Sequence, residues 1–274
     1  MRWTPGGVSG NVEDRRGMGV GRGAMGIGGV VIALLLSVFF GEDFLSTLGT
    51  GPAAPARNPA EQQARDRQEE PLVQFVSFVL DDAQSTWHKL LGERYRDAKL
   101  VLFRDAVESA CGTAPAEVGP FYCPADEKVY IDLSFYEELD GRFGAPGDFA
   151  QAYVLAHEIG HHVQNILGLS RKVSAAQRSN PDAANELSVR LELQADCLAG
   201  VWGHSTAKRG ILEHGDIEEG LGAAAAVGDD RIQRRTRGSV NADSFTHGSS
   251  AQRTEWFRRG LTSGQVSNCD TFRR

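Results

Sequence analysis

The chain has 274 residues, a formal net charge of −7 and 24% charged residues. With no basic excess and no basic patch it is not equipped to neutralise phosphates, which excludes nucleic acid as a partner. The length allows one large domain or two small ones, and no internal repeat is evident.

The first quarter does not read as globular. Residues 23–41 form an uncharged run of about the length that crosses a bilayer, densest in apolar side chains from Val30 to Phe40. A cleaved secretory signal also needs only a short apolar core, but Gly41-Glu42-Asp43-Phe44 follows directly and offers no small-x-small cleavage site. An uncleaved transmembrane anchor is therefore expected. Arg2, Arg15, Arg16 and Arg22 precede it while Glu42 and Asp43 follow. The positive-inside rule then puts residues 1–22 in the cytoplasm and the rest outside, at the cell surface or in the periplasm. Residues 42–71 are rich in Gly, Pro, Ala and Gln, with alternating charges and almost no large apolar side chain after Leu48, and read as a flexible linker. The folded domain is expected over 72–274.

Val73 to Leu91 reads as an amphipathic helix with Phe75, Val76, Val79 and Leu80 in the core. Lys99 to Phe103 and Lys128 to Leu133 read as strands by their Val, Ile, Tyr and Leu content. Val129 to Asp132 alternates as an edge strand does, and such an edge can pair with an extended peptide. Cys111 and Cys123 bracket a short Gly- and Pro-bearing segment. Four cysteines allow three connectivities. In an oxidising compartment Cys111 with Cys123 and Cys197 with Cys269 is the expected pairing. No C-x-x-C spacing occurs, which disfavours a second zinc site.

A helix is expected from Asp148, as N-cap with Gln151 three residues on, to a stop at Gly168. It carries His157-Glu158-Ile159-Gly160-His161. Two imidazoles four residues apart share a helix face and can grip one zinc ion, with Glu158 close enough to accept a proton from water without being a ligand. His162 falls on the apolar stripe with Leu155 and Ile159 and reads as a buried histidine. A catalytic zinc needs a third protein ligand. A second helix begins after Asn180-Pro181 and continues through Leu187, Leu191, Ala195, Leu198 and Trp202. On it Glu192 and Asp196 share a face, so one can ligate while the other accepts a hydrogen bond from a ligand histidine. Glu186 is the fallback ligand. Helices are also expected over Asp216 to Val227 and Ser249 to Leu261.

The runs Ala152 to Asn165 and Leu191 to Cys197, with Gly119-Pro120-Phe121-Tyr122-Cys123-Pro124 and Thr246-His247-Gly248-Ser249-Ser250, resemble the neutral zinc metallopeptidase family of bacteria from about Leu72 to the C-terminus. That family is similar to the gluzincins. The resemblance implies a single Zn2+ held by His157, His161 and Glu192, with Asp196 orienting a ligand histidine. It also tilts the Val129 to Asp132 edge toward substrate binding. The expected fold is α+β: a membrane helix and linker, then a mainly helical zincin-like domain with a small sheet. The expected activity is hydrolysis of peptide bonds in a peptide or protein substrate, with Glu158 as general base. His247 is the first candidate for oxyanion stabilisation, and Arg253 or Arg231 the next. His88, His204 and His214 carry no partner pattern. The alternatives are a membrane-anchored zinc-binding module without catalysis, or a zinc amidase acting on cell-wall peptides.

Overall fold

A computed structural model describes residues 1–18 and 58–273. The expected anchor, 23–41, lies outside the described residues, and among these no helix is long and apolar enough to cross a membrane. What is described is a mainly helical α+β domain with two small sheets.

Helix α1 runs Pro59–Leu91 and takes up the second half of the expected linker. The Asn58 side chain caps it by accepting the Ala60 N–H at 3.0 Å. Pro59 sits in the first turn, where its missing N–H leaves nothing unsatisfied. The charges that suggest a tether are helical pairs. Arg65 Nε donates to Glu69 Oε1 at 2.9 Å, and Gln74 Nε2 to Glu70 Oε1 at 3.0 Å, each one turn apart. Buried Arg16 and Arg104 both reach Glu69 Oε2, at 2.8 and 2.6 Å, so this charged turn is drawn onto the domain.

Residues 1–18, within the segment expected to be cytoplasmic, pack against the folded domain. Strand β1 (Val12–Asp14) lies parallel to β2 (Lys99–Phe103), with Glu13 opposite Val101. Lys128 and Arg16 neutralise Glu13 and Asp14, each at 2.7 Å, which is how so polar a strand enters a sheet. The Met1 side chain is buried in the core, and its ammonium donates to Asp148 Oδ1 at 2.6 Å and Asp216 Oδ1 at 3.3 Å. Asp148, Asp216 and Glu219 form an acidic trio close enough to hold a cation, and the ammonium takes that place.

The main sheet continues from β2 to parallel β6 (Lys128–Asp132) and on to antiparallel β5 (Phe121–Cys123). Strands β3 (Ala106–Ser109) and β4 (Gly112–Pro115) form a separate hairpin, which the Cys111–Cys123 disulfide ties to β5. Strand β6 is therefore interior and not the expected edge. Its residues 129–132 are all buried, as suits a strand covered on both faces. The edge among the described strands on that side is β5.

Helix α2 (Ser134–Gly141) leads to α3 (Asp148–Ile166), which is followed by α4 (Leu169–Ser179) and α5 (Ala184–Lys208). Helices α6 (Asp216–Ala226), α7 (Asp229–Arg237) and α8 (Ser250–Ser263) complete the described chain. Asp148 is the first residue of α3 and not its cap. The N-cap is Gly147, and the Asp148 carboxylate is taken by Met1. Helices α3 and α5 touch at Gly160, where an added Cβ would lie 2.9 Å from Ala195 O. Helices α5 and α8 cross at Gly200 and Gly260, where a Cβ would overlap the Phe257 and Cys197 carbonyls. The Cys197–Cys269 disulfide then pins the turn Val266–Cys269 to α5. Closing a loop of that length contributes about 4 kcal/mol in the chain-entropy account. Both disulfides have the expected pairing.

Burial alone would lower the Met1 ammonium pKa, but Asp148 and Asp216 more than offset this and hold it above its ordinary value. A folded-state pKa raised above the unfolded value of about 8 gives stability that is fully present below that pH and is lost as pH climbs through the folded value. Asp216→Asn is expected to cost about 1.5–3 kcal/mol at neutral pH and to flatten the alkaline loss. Calorimetric unfolding across roughly pH 6–10 reads both effects.

Candidate metal centre

Helix α3 presents His157 and His161 one turn apart, with ring centroids separated by 4.8 Å. The close approach at Gly160 brings Glu192 on α5 across from them. His157 Nε2 lies 3.2 Å from Glu192 Oε2, and His161 Nε2 lies 3.3 Å from Glu192 Oε1. Zinc bonds of about 2.0–2.1 Å in a tetrahedron put ligand atoms roughly 3.3–3.5 Å apart, so these separations fit one zinc ion. Two imidazoles and one carboxylate are three of the four donors of a tetrahedral zinc and leave a fourth position. Glu158 stands beside this trio on the cleft wall and is no part of it. Glu186, the fallback ligand, is exposed and paired with Arg190.

The electrostatics follow from burial against pairing. Burial would raise the Glu192 carboxyl, but His161, His247 and hydrogen bonds from both ligand imidazoles hold it well below the usual range. Burial would lower His157, yet Asp196 carries it up to about 9. His161 is likewise raised, burial being outweighed by Glu192. Glu158 is raised because burial exceeds the pull of the two imidazoles.

Asp196, fully buried, orients His157 by accepting its Nδ1–H at 2.8 Å. The same carboxylate accepts the Tyr153 hydroxyl and a fork from Arg253, Nε at 2.8 Å and Nη2 at 2.9 Å. Burial would raise its pKa, but Arg253 and His157 more than compensate. Arg253 reaches it from α8 because the helices cross at glycines. Its guanidinium also donates to the Tyr153 hydroxyl at 3.2 Å and to the Val227 carbonyl at 3.3 Å, and it lines the cleft. Tyr153 escapes the sequence reading, although its place one turn before His157 is a usable signal.

His247 lies on the cleft wall with Nδ1 3.3 Å from Asp229 Oδ1 and 2.9 Å from Thr246 Oγ1. Asp229 Oδ2 also accepts the N–H groups of Thr246, His247 and Gly248 at 2.7, 2.7 and 3.1 Å, winding the loop around one carboxylate. Asp229 is a second residue that sequence reasoning misses. Arg231 is exposed on α7 and does not line the cleft.

His162 is buried away from the trio. It meets the Arg96 carbonyl through Nε2 at 2.7 Å and the Tyr122 hydroxyl through Nδ1 at 2.9 Å, fastening β5 to α3. His88 and His204 find Asp97 and the Leu261 carbonyl. The cleft in front of the trio has a volume of about 610 Å³, within the range of small-ligand sites. Its walls come from β5, α2, α4 and α7, with Phe121, Phe135, Phe143, Val173 and Ile232 as apolar contacts.

Asp196→Asn keeps the shape but weakens the charge-assisted bonds to His157 and Arg253. Zinc affinity is expected to fall about 10- to 100-fold, measured by chelator competition. Unchanged affinity would remove Asp196 from the support of the site.

Residues 1–272 match the family described as "Putative neutral zinc metallopeptidase", which extends the likeness upstream of Leu72 to the first residue. The chain is 46% identical over a 290-residue alignment to "Uncharacterized protein YpfJ" of Escherichia coli K12, covering 99% of each. It is 46% identical over 203 residues to "Uncharacterized protein Rv2575" of Mycobacterium tuberculosis H37Rv, covering 70% of this chain and 68% of that one. No solved structure matches. The match from end to end, on a chain that gathers His157, His161 and Glu192 at zinc spacing, means that this protein belongs to the neutral zinc metallopeptidase family.

Proposed function

We propose that the protein hydrolyses peptide bonds with zinc as cofactor and Glu158 as general base. The observation that carries this reading is the position of Glu158, a buried carboxylate on the cleft wall beside the donor trio and outside it. A module that only held zinc could dispense with that carboxylate. When bound, zinc polarises the scissile carbonyl and lowers the pKa of a water toward ~7.

Glu158 accepts the proton of the attacking water and returns it to the leaving amine, a role that contributes about 10²- to 10⁴-fold. Its raised pKa suits both halves of that exchange. His247, steadied at Nδ1 by Asp229, is the side chain proposed to meet the developing oxyanion. An extended substrate would lie along β5, whose Phe121 and Tyr122 line the cleft. The Tyr122 hydroxyl is already engaged by Asn165 and His162, which leaves the strand's backbone and apolar faces for recognition.

The two disulfides support an extracytoplasmic location for this packed body, residues 1–18 included. A reporter fused to the C-terminus is expected to signal outside the cytoplasm. Cytoplasmic signal with free thiols at all four cysteines is the losing result.

Glu158→Gln should retain stoichiometric zinc and lose peptide hydrolysis, because the residue is base and not ligand. His247→Ala should retain zinc, lower kcat by about 10²- to 10³-fold and change KM little. Metal analysis and steady-state kinetics check both. Hydrolysis surviving without the Glu158 carboxylate would overturn the mechanism.

A further inference from the structure

His157 is oriented by an anion, whereas His161 is oriented by a neutral amide. His161 Nδ1 lies 2.9 Å from Gln164 Oε1. The fully buried Gln164 spends its Nε2 hydrogens on the Leu191 carbonyl at 2.7 Å and on Gln194 Oε1 at 3.1 Å. Gln194 Nε2 in turn donates to the Cys269 carbonyl at 2.9 Å. Carbonyls only accept, so each amide has one permitted orientation, and Gln164 must offer its oxygen to His161. The histidine then has to donate from Nδ1, so Nε2, which faces Glu192, is the nitrogen that remains to bind metal. The Cys269 carbonyl is itself fixed by the Cys197–Cys269 disulfide, and Thr271 Oγ1 donates to the Arg190 carbonyl at 2.7 Å beside it.

We propose that Gln164 and Gln194 are positioning residues that transmit the anchorage of the disulfide-held C-terminal turn to His161 and so fix its tautomer for zinc. The relay rests on reading His157, His161 and Glu192 as a zinc site. It makes the last turn of the chain part of the metal's support, although no residue there approaches the donor trio.

The test is zinc affinity of the full-length protein by chelator competition, joined to a double-mutant cycle. Gln164→Leu removes the acceptor and should weaken zinc binding about 10- to 100-fold. Removing the disulfide with Cys197→Ser and Cys269→Ser should weaken zinc in the wild-type background and add nothing in the Gln164→Leu background, because both act through one contact. Losses that add in full would overturn the relay, as would a Gln164→Leu protein that binds zinc like wild type. Should Gln164→Leu fail to fold, Gln194→Leu carries the same cycle while leaving the residue in contact with His161. Wild-type protein that takes up no zinc would overturn the metal-site reading and the relay together, an outcome distinct from equal affinity in both proteins.

Discussion

The carboxylate of Asp196 is the joint on which the rest of the structure depends. Buried without partners, such a charge costs several kcal/mol. Here its partners come from two other helices, Tyr153 and His157 on α3 and Arg253 on α8. Helices α3, α5 and α8 must therefore all dock before every one of these groups is satisfied. The same docking turns the His157 Nε2 toward Glu192 and the cleft. Stability and site geometry are thus one interaction seen from two sides, and the metal position inherits the order of the core.

The reach of this arrangement beyond the trio comes from short contacts placed along the same helices. The Gly160 contact sets the spacing between α3 and α5, and with it the distance across which Glu192 faces two imidazoles. His162, one residue past His161, ties α3 to β5 through Tyr122. One helix therefore joins the proposed substrate edge and the metal position rigidly, as a site built on regular elements allows.

The site was legible where a period fixes it. Histidines four apart and carboxylates four apart must share helix faces, so both pairs could be read directly, while the choice of Glu192 as ligand came from the family resemblance. Tyr153, Gln164, Gln194 and Asp229 could not be, because their roles lie in hydrogen bonds to segments distant in sequence. Arg253 shows the limit. A cation near the site was readable, but its pairing with Asp196 on another helix was not. In the fold, residues 60–70 looked like a solvated tether because local composition is blind to Arg16 and Arg104, which neutralise Glu69 from far along the chain. Strand β6 looked like an edge because Asp132 broke its apolar run. That carboxylate is in fact consumed by the N–H groups of Asp105 and Ser134 at the strand's end. Strand β1, three residues long and two of them acidic, carries no hydrophobic period to detect.

Gly200 and Gly260 touch neither the metal position nor the cleft, yet any side chain at either would wedge α8 away from α5. Arg253 rides on α8, so such a change would draw the guanidinium off Asp196 while leaving every ligand in the sequence intact. Inactivating substitutions in a random library would then gather at helix crossings as readily as at histidines. For this fold, tolerance to mutation follows the distance between backbones as well as the distance from the metal position.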